Sequence, residues 1–118
     1  MFEFLNPPTW KKGKGYSHGV SVTIEPGDQL IDVAGMIGWN EQQVFESDDF
    51  IEQARTALSN IAAVLHEAGG TPNDVTMLTW YITDKAACLA RQRELGDVYR
   101  SIFGNHYPAM AMVEVTAL

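Results

Sequence analysis

The chain carries a single cysteine, Cys88, in 118 residues. No intrachain disulfide can form, and the expected setting is a reducing compartment. No apolar run approaches the roughly 20 residues that span a bilayer. The opening Met-Phe-Glu-Phe-Leu-Asn-Pro-Pro lacks the basic region and apolar run of a secretory signal. A cytoplasmic protein without a membrane partner is therefore expected. Positive charge is also scarce. Eight Lys and Arg against fifteen Asp and Glu leave a net charge of −7. That argues against nucleic acid as a partner, because a basic stripe supplies most of such affinity. Lys11, Lys12 and Lys14 form one small basic cluster beside glycines, a pattern more often met in a solvated loop than in a phosphate site. Internal repeats and low-complexity linkers are lacking too, so residues 1–118 read as one domain.

Apolar residues make up 46% of the chain, enough to bury a real core. Gly19 to Glu25 alternates weakly and is rich in Val, Thr and Ile, as a strand is. Glu25-Pro26-Gly27-Asp28 suits a type II turn, and Leu30 to Ile37 reads as the second strand of a hairpin. Asp49 followed by Glu52 fits an acidic capping box. Phe50, Ala54, Leu58, Ile61 and Leu65 then recur at helical spacing, up to Gly69-Gly70. Val75 to Thr83 is a strand of β-branched and aromatic residues. Asp84 caps a second helix with the stripe Leu95, Val98, Tyr99, Ile102 and Phe103, ended by Gly104. Pro108 leads into a last strand. The order β-β-α-β-α-β describes an α+β domain whose right-handed crossovers put both helices on one face of the sheet.

The strands are apolar on both sides. Leu78, Trp80 and Ile82 make one face of the third strand, and Val75, Met77, Thr79, Tyr81 and Thr83 the other. In the last strand Ala111, Val113, Val115 and Ala117 read as core. Met110, Met112, Glu114 and Thr116 are assigned to the face that the helices leave open. Such a face is rarely left in water, so it is expected to pack against further copies of the chain.

Few residues point to chemistry. His18, His66 and His106 are far apart, and none has metal-ligand spacing, so no metal and no cofactor is expected. Small apolar neighbours make Cys88 a packed thiol. Ser17 and His18 are adjacent on extended chain and point to opposite sides, so they are no catalytic pair. Gly13-Lys14-Gly15 is too short for a dinucleotide loop and precedes a strand. What remains is a pocket-like set on extended chain: Tyr16, His18, Gly35, Met36, Ile37, Met110, Met112 and Glu114, with Trp39 as a wall. The competing reading is that all of these are plain interface.

Several stretches resemble one family. Gly15-Tyr16-Ser17-His18-Gly19-Val20 is similar to its opening Pro-Tyr-Ser-Gln-Ala-Val. Val33-Ala34-Gly35-Met36-Ile37-Gly38 resembles its Ser-Gly-Gln-Ile-Pro strand. The helix "QARTALSNIAAVLHEAGG" carries its Gln-x-x-x-Ala-Leu-x-Asn-Ile pattern. "VTMLTWYITD" resembles its Val-x-x-x-Thr-Val-Tyr-Leu-Thr-Asp strand. Tyr107-Pro108-Ala109 with Val113-Glu114-Val115 resembles its Arg-Pro-Ala-Arg-Ser-x-Val-Glu-Val block. The family is RidA, also called YjgF or endoribonuclease L-PSP. The resemblance implies a chorismate-mutase-like fold and homotrimers with intersubunit clefts. It also implies hydrolysis of enamines and imines such as 2-aminoacrylate. Other members are described as translation inhibitors with ribonuclease activity, or as deaminases of aromatic catabolism.

The departures bear on function. The arginine that grips the substrate carboxylate in family deaminases is Met110 here, and a common cysteine is Met112. The serine before the strand glycine is Ala34, and Gly96 stands nearest the usual asparagine. The family's last strand, with its pocket glutamate, is absent or lies outside this sequence. Tyr16 carries over. The resemblance therefore implies an enamine or imine deaminase with Tyr16 as the catalytic residue and an altered small-molecule substrate. Met36, Trp39, Met110 and Met112 would favour a larger, less polar one. The alternative is a non-catalytic module binding a small metabolite; a translation inhibitor or ribonuclease finds less support.

Overall fold

Residues 2–118 are described by a computed structural model. Phe2–Leu5 (β1) pairs antiparallel with Gly19–Val22 (β2), from Phe2 opposite Val22 to Leu5 opposite Gly19. This corrects the expected hairpin. Its turn does form: the Asp28 N–H donates to the Glu25 carbonyl at 3.0 Å, and Gly27 takes a φ of 95°. No strand follows it, however. Residues 29–37 are irregular, and Leu30 is 89% exposed. Alternation selects extended chain but does not select its partner. Phe2 and Phe4 of β1 also lie 5.4 and 5.6 Å from the His106 ring, tying the two ends of the chain together.

Helix α1 spans Phe50–Glu67. The Asp49 carboxylate accepts from the Glu52 N–H at 3.3 Å, but the expected reciprocal bond is replaced by an ion pair of Glu52 with Arg55. At the far end, the Gly69 and Gly70 N–H groups donate to His66 and Leu65, the paired bonds of a Schellman ending. A 3-10 turn over Pro72–Asp74 leads to β3, Met77–Ile82. The expected single second helix is two. Asp84 caps α2 (Lys85–Ala90), accepting from the Ala87 N–H at 3.0 Å. The chain then leaves helical geometry at Arg91 (φ −121°, ψ 28°) before α3, Gln92–Phe103. At that break the Arg91 guanidinium holds Asp49, the cap of α1, and Glu94.

The last strand, β4 (Ala109–Glu114), runs parallel to β3. The architecture is α+β, with two two-stranded sheets in place of one continuous sheet. The helices pack on one side of β3–β4. Ile51 and Leu58 of α1, Cys88 of α2, and Leu95, Val98, Tyr99 and Phe103 of α3 meet Leu78, Trp80 and Ile82. Burying these side chains supplies the main driving force for folding, at about 25 cal/mol per Å² of apolar surface. Met77, Thr79 and Tyr81 point the other way, and Tyr81 is 57% exposed.

The register corrects the faces assigned to β4. Leu78 lies beside Met110, Trp80 beside Met112 and Ile82 beside Glu114. The methionines and Glu114 therefore share the helix side. Ala111 and Val113 share the open side with Thr79 and Tyr81, and Val113 is 43% exposed. A period of two separates two faces without saying which is inside. Ala and Val have the character of core, and the neighbouring strand overrules it. Among the described residues, no helix is long and apolar enough to cross a membrane.

Candidate functional site

The segment that carries Tyr16 and His18 docks on the head of β4. The Ser17 N–H donates to the Pro108 carbonyl at 3.1 Å, and Ser17 pairs in parallel with Ala109. The Ser17 hydroxyl, buried, donates to the Tyr107 carbonyl at 2.6 Å. Ser17 is thus a structural clamp and no partner of His18. The pairing puts Tyr16 and His18 in register with Pro108 and Met110, because side chains alternate along extended chain.

Around the clamp three rings form a corner. His18 stands edge-on to Tyr16 at 5.5 Å and to Trp10 at 5.1 Å. Asn6 fixes His18 twice: its side-chain oxygen takes the backbone N–H at 3.0 Å and lies 3.1 Å from the ring Nδ1. That oxygen can only accept, so Nδ1 carries the proton. The backbone of Gly13 lies on the Tyr16 ring. A methyl group added there would sit 2.6 Å from Cζ, so a larger residue would push the Tyr16 ring aside. Among the described residues the Tyr16 hydroxyl makes no hydrogen bond, leaving it available to a ligand or water.

Met110 packs against the core beside Leu78. Met112 meets Cys88, sulfur to sulfur, at 3.6 Å. Burial raises the pKa of the Cys88 thiol, as expected for a packed, inert cysteine. Glu114 is also engaged: its Oε2 accepts from the Lys85 N–H at 2.7 Å, at the start of α2. Met112, Cys88 and Glu114 therefore join the end of β4 to the start of α2, an attachment the sequence pattern does not express.

The remaining expected site residues are anchored elsewhere in the chain. The Asn60 side chain donates to the carbonyls of Ile37 and Trp39, the shorter bond being 2.9 Å. Gln53 donates to the Ser47 carbonyl at 2.9 Å. Trp39 packs on Phe45 at 5.7 Å. Gly35 stands open, with no atom within 4 Å of where a Cβ would lie, and Met36 is half-buried. Two open hollows of about 230 and 360 Å³ lie between residues 38–47 and α1, and neither is lined by Tyr16, His18 or Met110. Gln53 and Asn60 are the Gln and Asn of the Gln-x-x-x-Ala-Leu-x-Asn-Ile pattern in the first helix, but that pattern does not say what they hold. A second signal is the polar Asn60 wedged between the core positions Leu58 and Ile61. Trp10, Gly13 and Asn6 have no comparable signal, because ring contacts across a loop leave no period in a sequence.

His106 is buried in a structural role. Its Nε2 lies 2.7 Å from the Val75 carbonyl, and its own carbonyl accepts from the Tyr99 hydroxyl. Burial raises the Tyr99 pKa, with Tyr107 adding to the shift. Among the described residues no three His, Cys, Asp or Glu side chains come together so as to hold a metal ion.

Known proteins share this architecture. The family model described as endoribonuclease L-PSP matches residues 11–118. A RutC family protein of Pyrococcus abyssi is 36% identical over 99 residues, covering 83% of this chain and 74% of its own length. A Rid-family protein of unknown function from Yersinia pestis superposes with a TM-score of 0.84 at 26% identity, covering 99% of this chain and 87% of that chain. The structure of E. coli TdcF with bound serine superposes with a TM-score of 0.60 at 29% identity, covering 81% of this chain and 80% of that one.

Proposed function

Because the chain belongs to the endoribonuclease L-PSP family, the RidA/YjgF group, we propose that it hydrolyses enamines or imines of a small metabolite in a cleft between copies of itself. The observation that carries this reading is the docking of Tyr16–His18 on the head of β4 through the Ser17–Ala109 bridge, beside which the Tyr16 hydroxyl makes no hydrogen bond among the described residues. Imine hydrolysis needs little more. The imine nitrogen takes a proton, water adds to the carbon, and the carbinolamine collapses to a carbonyl compound and ammonia. Tyr16, directly or through a water it orders, passes the proton, and positioning supplies much of the rate. The serine held by E. coli TdcF supports a ligand of amino-acid size.

In this reading the protein is a cytoplasmic homotrimer. The open face of β3–β4, with Met77, Tyr81 and Val113, supports packing against other copies. Gly35, Met36, Ile37 and Trp39 complete the cleft in the assembly and give it apolar character. No arginine stands at position 110, so larger, less polar imines are preferred over 2-aminoacrylate.

The experiment is a screen for ammonia release from imino acids generated in place, from 2-aminoacrylate to aromatic ones. Release above the spontaneous rate, lost in Tyr16→Phe, is the expected result. Folded protein that accelerates none of them leaves a binding module as the function. That alternative has support in the same geometry, since Glu114 and Cys88 are both committed to structural contacts.

A further inference from the structure

We infer that the Lys12-Gly13-Lys14 loop and the Trp10–Tyr16–His18 corner together bind a flat, conjugated carboxylate, with the lysines supplying the charge and the rings the shape. The inference rests on the reading of Tyr16 as part of the substrate site. It goes beyond that reading by naming the groups that select the substrate.

Three of the chain's four lysines fall within residues 11–14, in a protein of net charge −7. Every ion pair among the described residues uses an arginine: Arg55, Arg91 or Arg100. Lys11, Lys12 and Lys14 are all exposed and pair with no carboxylate among the described residues. Among the described residues this cluster of positive charge is uncompensated.

The patch is also placed. Gly13 lies on the Tyr16 ring so closely that a methyl group would meet three ring carbons at 2.6 to 2.8 Å. Adjacent Cα atoms are about 3.8 Å apart, so Lys12 and Lys14 leave the backbone at the two edges of that contact. Their stems can lie along the ring while the ammonium groups reach past it. The far side of the corner is Trp10, 61% exposed, with its backbone pinned by a turn from Pro7 at 3.1 Å. Tyr16 itself is 40% exposed. Exposed aromatic faces beside unpaired ammonium groups suit a ligand that is flat at one end and anionic at the other. A bare phosphate uses only the charge, and a neutral aromatic only the rings.

The test uses the intact protein and benzoate as the probe, with benzamide and inorganic phosphate as controls, followed through the Trp10 indole N–H and the backbone amides of residues 10–18 by NMR. Benzoate is expected to shift these signals. Benzamide and phosphate should each bind at least about fivefold more weakly, and Lys12→Gln with Lys14→Gln should weaken benzoate about five- to tenfold, as two exposed ion pairs permit. Equal binding of benzamide, equal binding of phosphate, or an unchanged affinity in the double variant overturns the inference. So does a response confined to α2 and β4. Ammonia release measured on the same variants separates the two proposals. Benzoate binding as expected without imine hydrolysis upholds the carboxylate site and removes the deaminase. Hydrolysis that is unimpaired in the double variant, with no benzoate binding, does the reverse.

Discussion

Glu114, near the end of β4, places its Oε2 atom 2.7 Å from the backbone N–H of Lys85, the first residue of α2. Asp84 satisfies a second N–H of the same first turn. A six-residue helix has little internal stability, so carboxylates at its start matter out of proportion to their number. Glu114→Ala is expected to lower stability by about 1 kcal/mol, the usual cost of a lost cap. Urea unfolding reads it. An unchanged midpoint would mean that Asp84 alone suffices.

The 37–39 segment is held by one side chain and one absence. Asn60→Ala removes both bonds to the Ile37 and Trp39 carbonyls and is expected to cost about 1–2 kcal/mol. Gly38→Ala should cost about 1–3 kcal/mol by a different route. Its methyl group would sit 2.6 Å from the Gln53 Cβ and 2.7 Å from the Gln53 Cα, and a helix backbone cannot yield. Both variants should show faster amide exchange at residues 37–47 while α3 keeps its protection.

The Arg91 hub makes stability depend on acid. The Arg91 guanidinium beside Asp49 and Glu94 holds both carboxyls below their ordinary values of 3.8 and 4.5. A carboxyl depressed in the folded state stabilises above its unfolded value, and that contribution is lost as the pH falls through the folded one. Arg91→Gln should therefore destabilise at pH 6 and differ progressively less from wild type as the pH drops from about 4.5 toward 3. Urea midpoints across that range check it. A gap that is constant with pH would mean that Arg91 acts through packing alone.

Legibility follows the range of the interactions. The stripe Phe50, Ala54, Leu58, Ile61 and Leu65 places α1 because a helix is encoded by neighbours three and four residues apart. The caps Asp49 and Asp84 and the Pro26-Gly27 turn are readable for the same reason. The pairing of Phe2–Leu5 with Gly19–Val22 is not, because alternation marks extended chain without naming its partner. Nor is the inward face of β4, which depends on the register with β3. Of the candidate site, the clamp at Ser17 fixes the register of the Tyr16–His18 segment against the head of β4, while Ile37 and Trp39 answer to Asn60 on α1. The break at Arg91 leaves no mark either, since Ala-Arg-Gln-Arg-Glu is good helical sequence and a tertiary ion pair accompanies the departure.

Tyr81→Glu tests the trimer with little risk to the fold. The side chain is 57% exposed and lies on the face away from the helices, so within one chain the change should cost less than about 0.5 kcal/mol. In an assembly it would bury a carboxylate in an apolar interface, which is far more costly. Light scattering is expected to show a trimer for wild type and a monomer for the variant. A wild type that is monomeric at micromolar concentration would remove the shared cleft altogether.

The proposed preference against 2-aminoacrylate is tested at Met110. A guanidinium at that position would form a charge-assisted pair with the substrate carboxylate, and such bonds contribute roughly 1.5–3 kcal/mol net. Methionine forfeits that, so turnover of 2-aminoacrylate should fall about 10- to 150-fold below that of an arginine-bearing relative, at roughly 1.4 kcal/mol per tenfold. The surroundings of Met110 constrain the reverse substitution. Met110 is half-buried and packs on the core beside Leu78, so Met110→Arg also draws a charge toward apolar surface. The arginine stem can cover that surface only if its head reaches out toward the Tyr16–His18 segment. Met110→Arg is therefore expected to lose about 1–3 kcal/mol of stability in urea while gaining rate on 2-aminoacrylate. Lower stability without a gain in rate would show that the head group does not reach the substrate. Wild type already as fast as an arginine-bearing relative would show that the carboxylate is held by another group, for which Lys12 and Lys14 stand first.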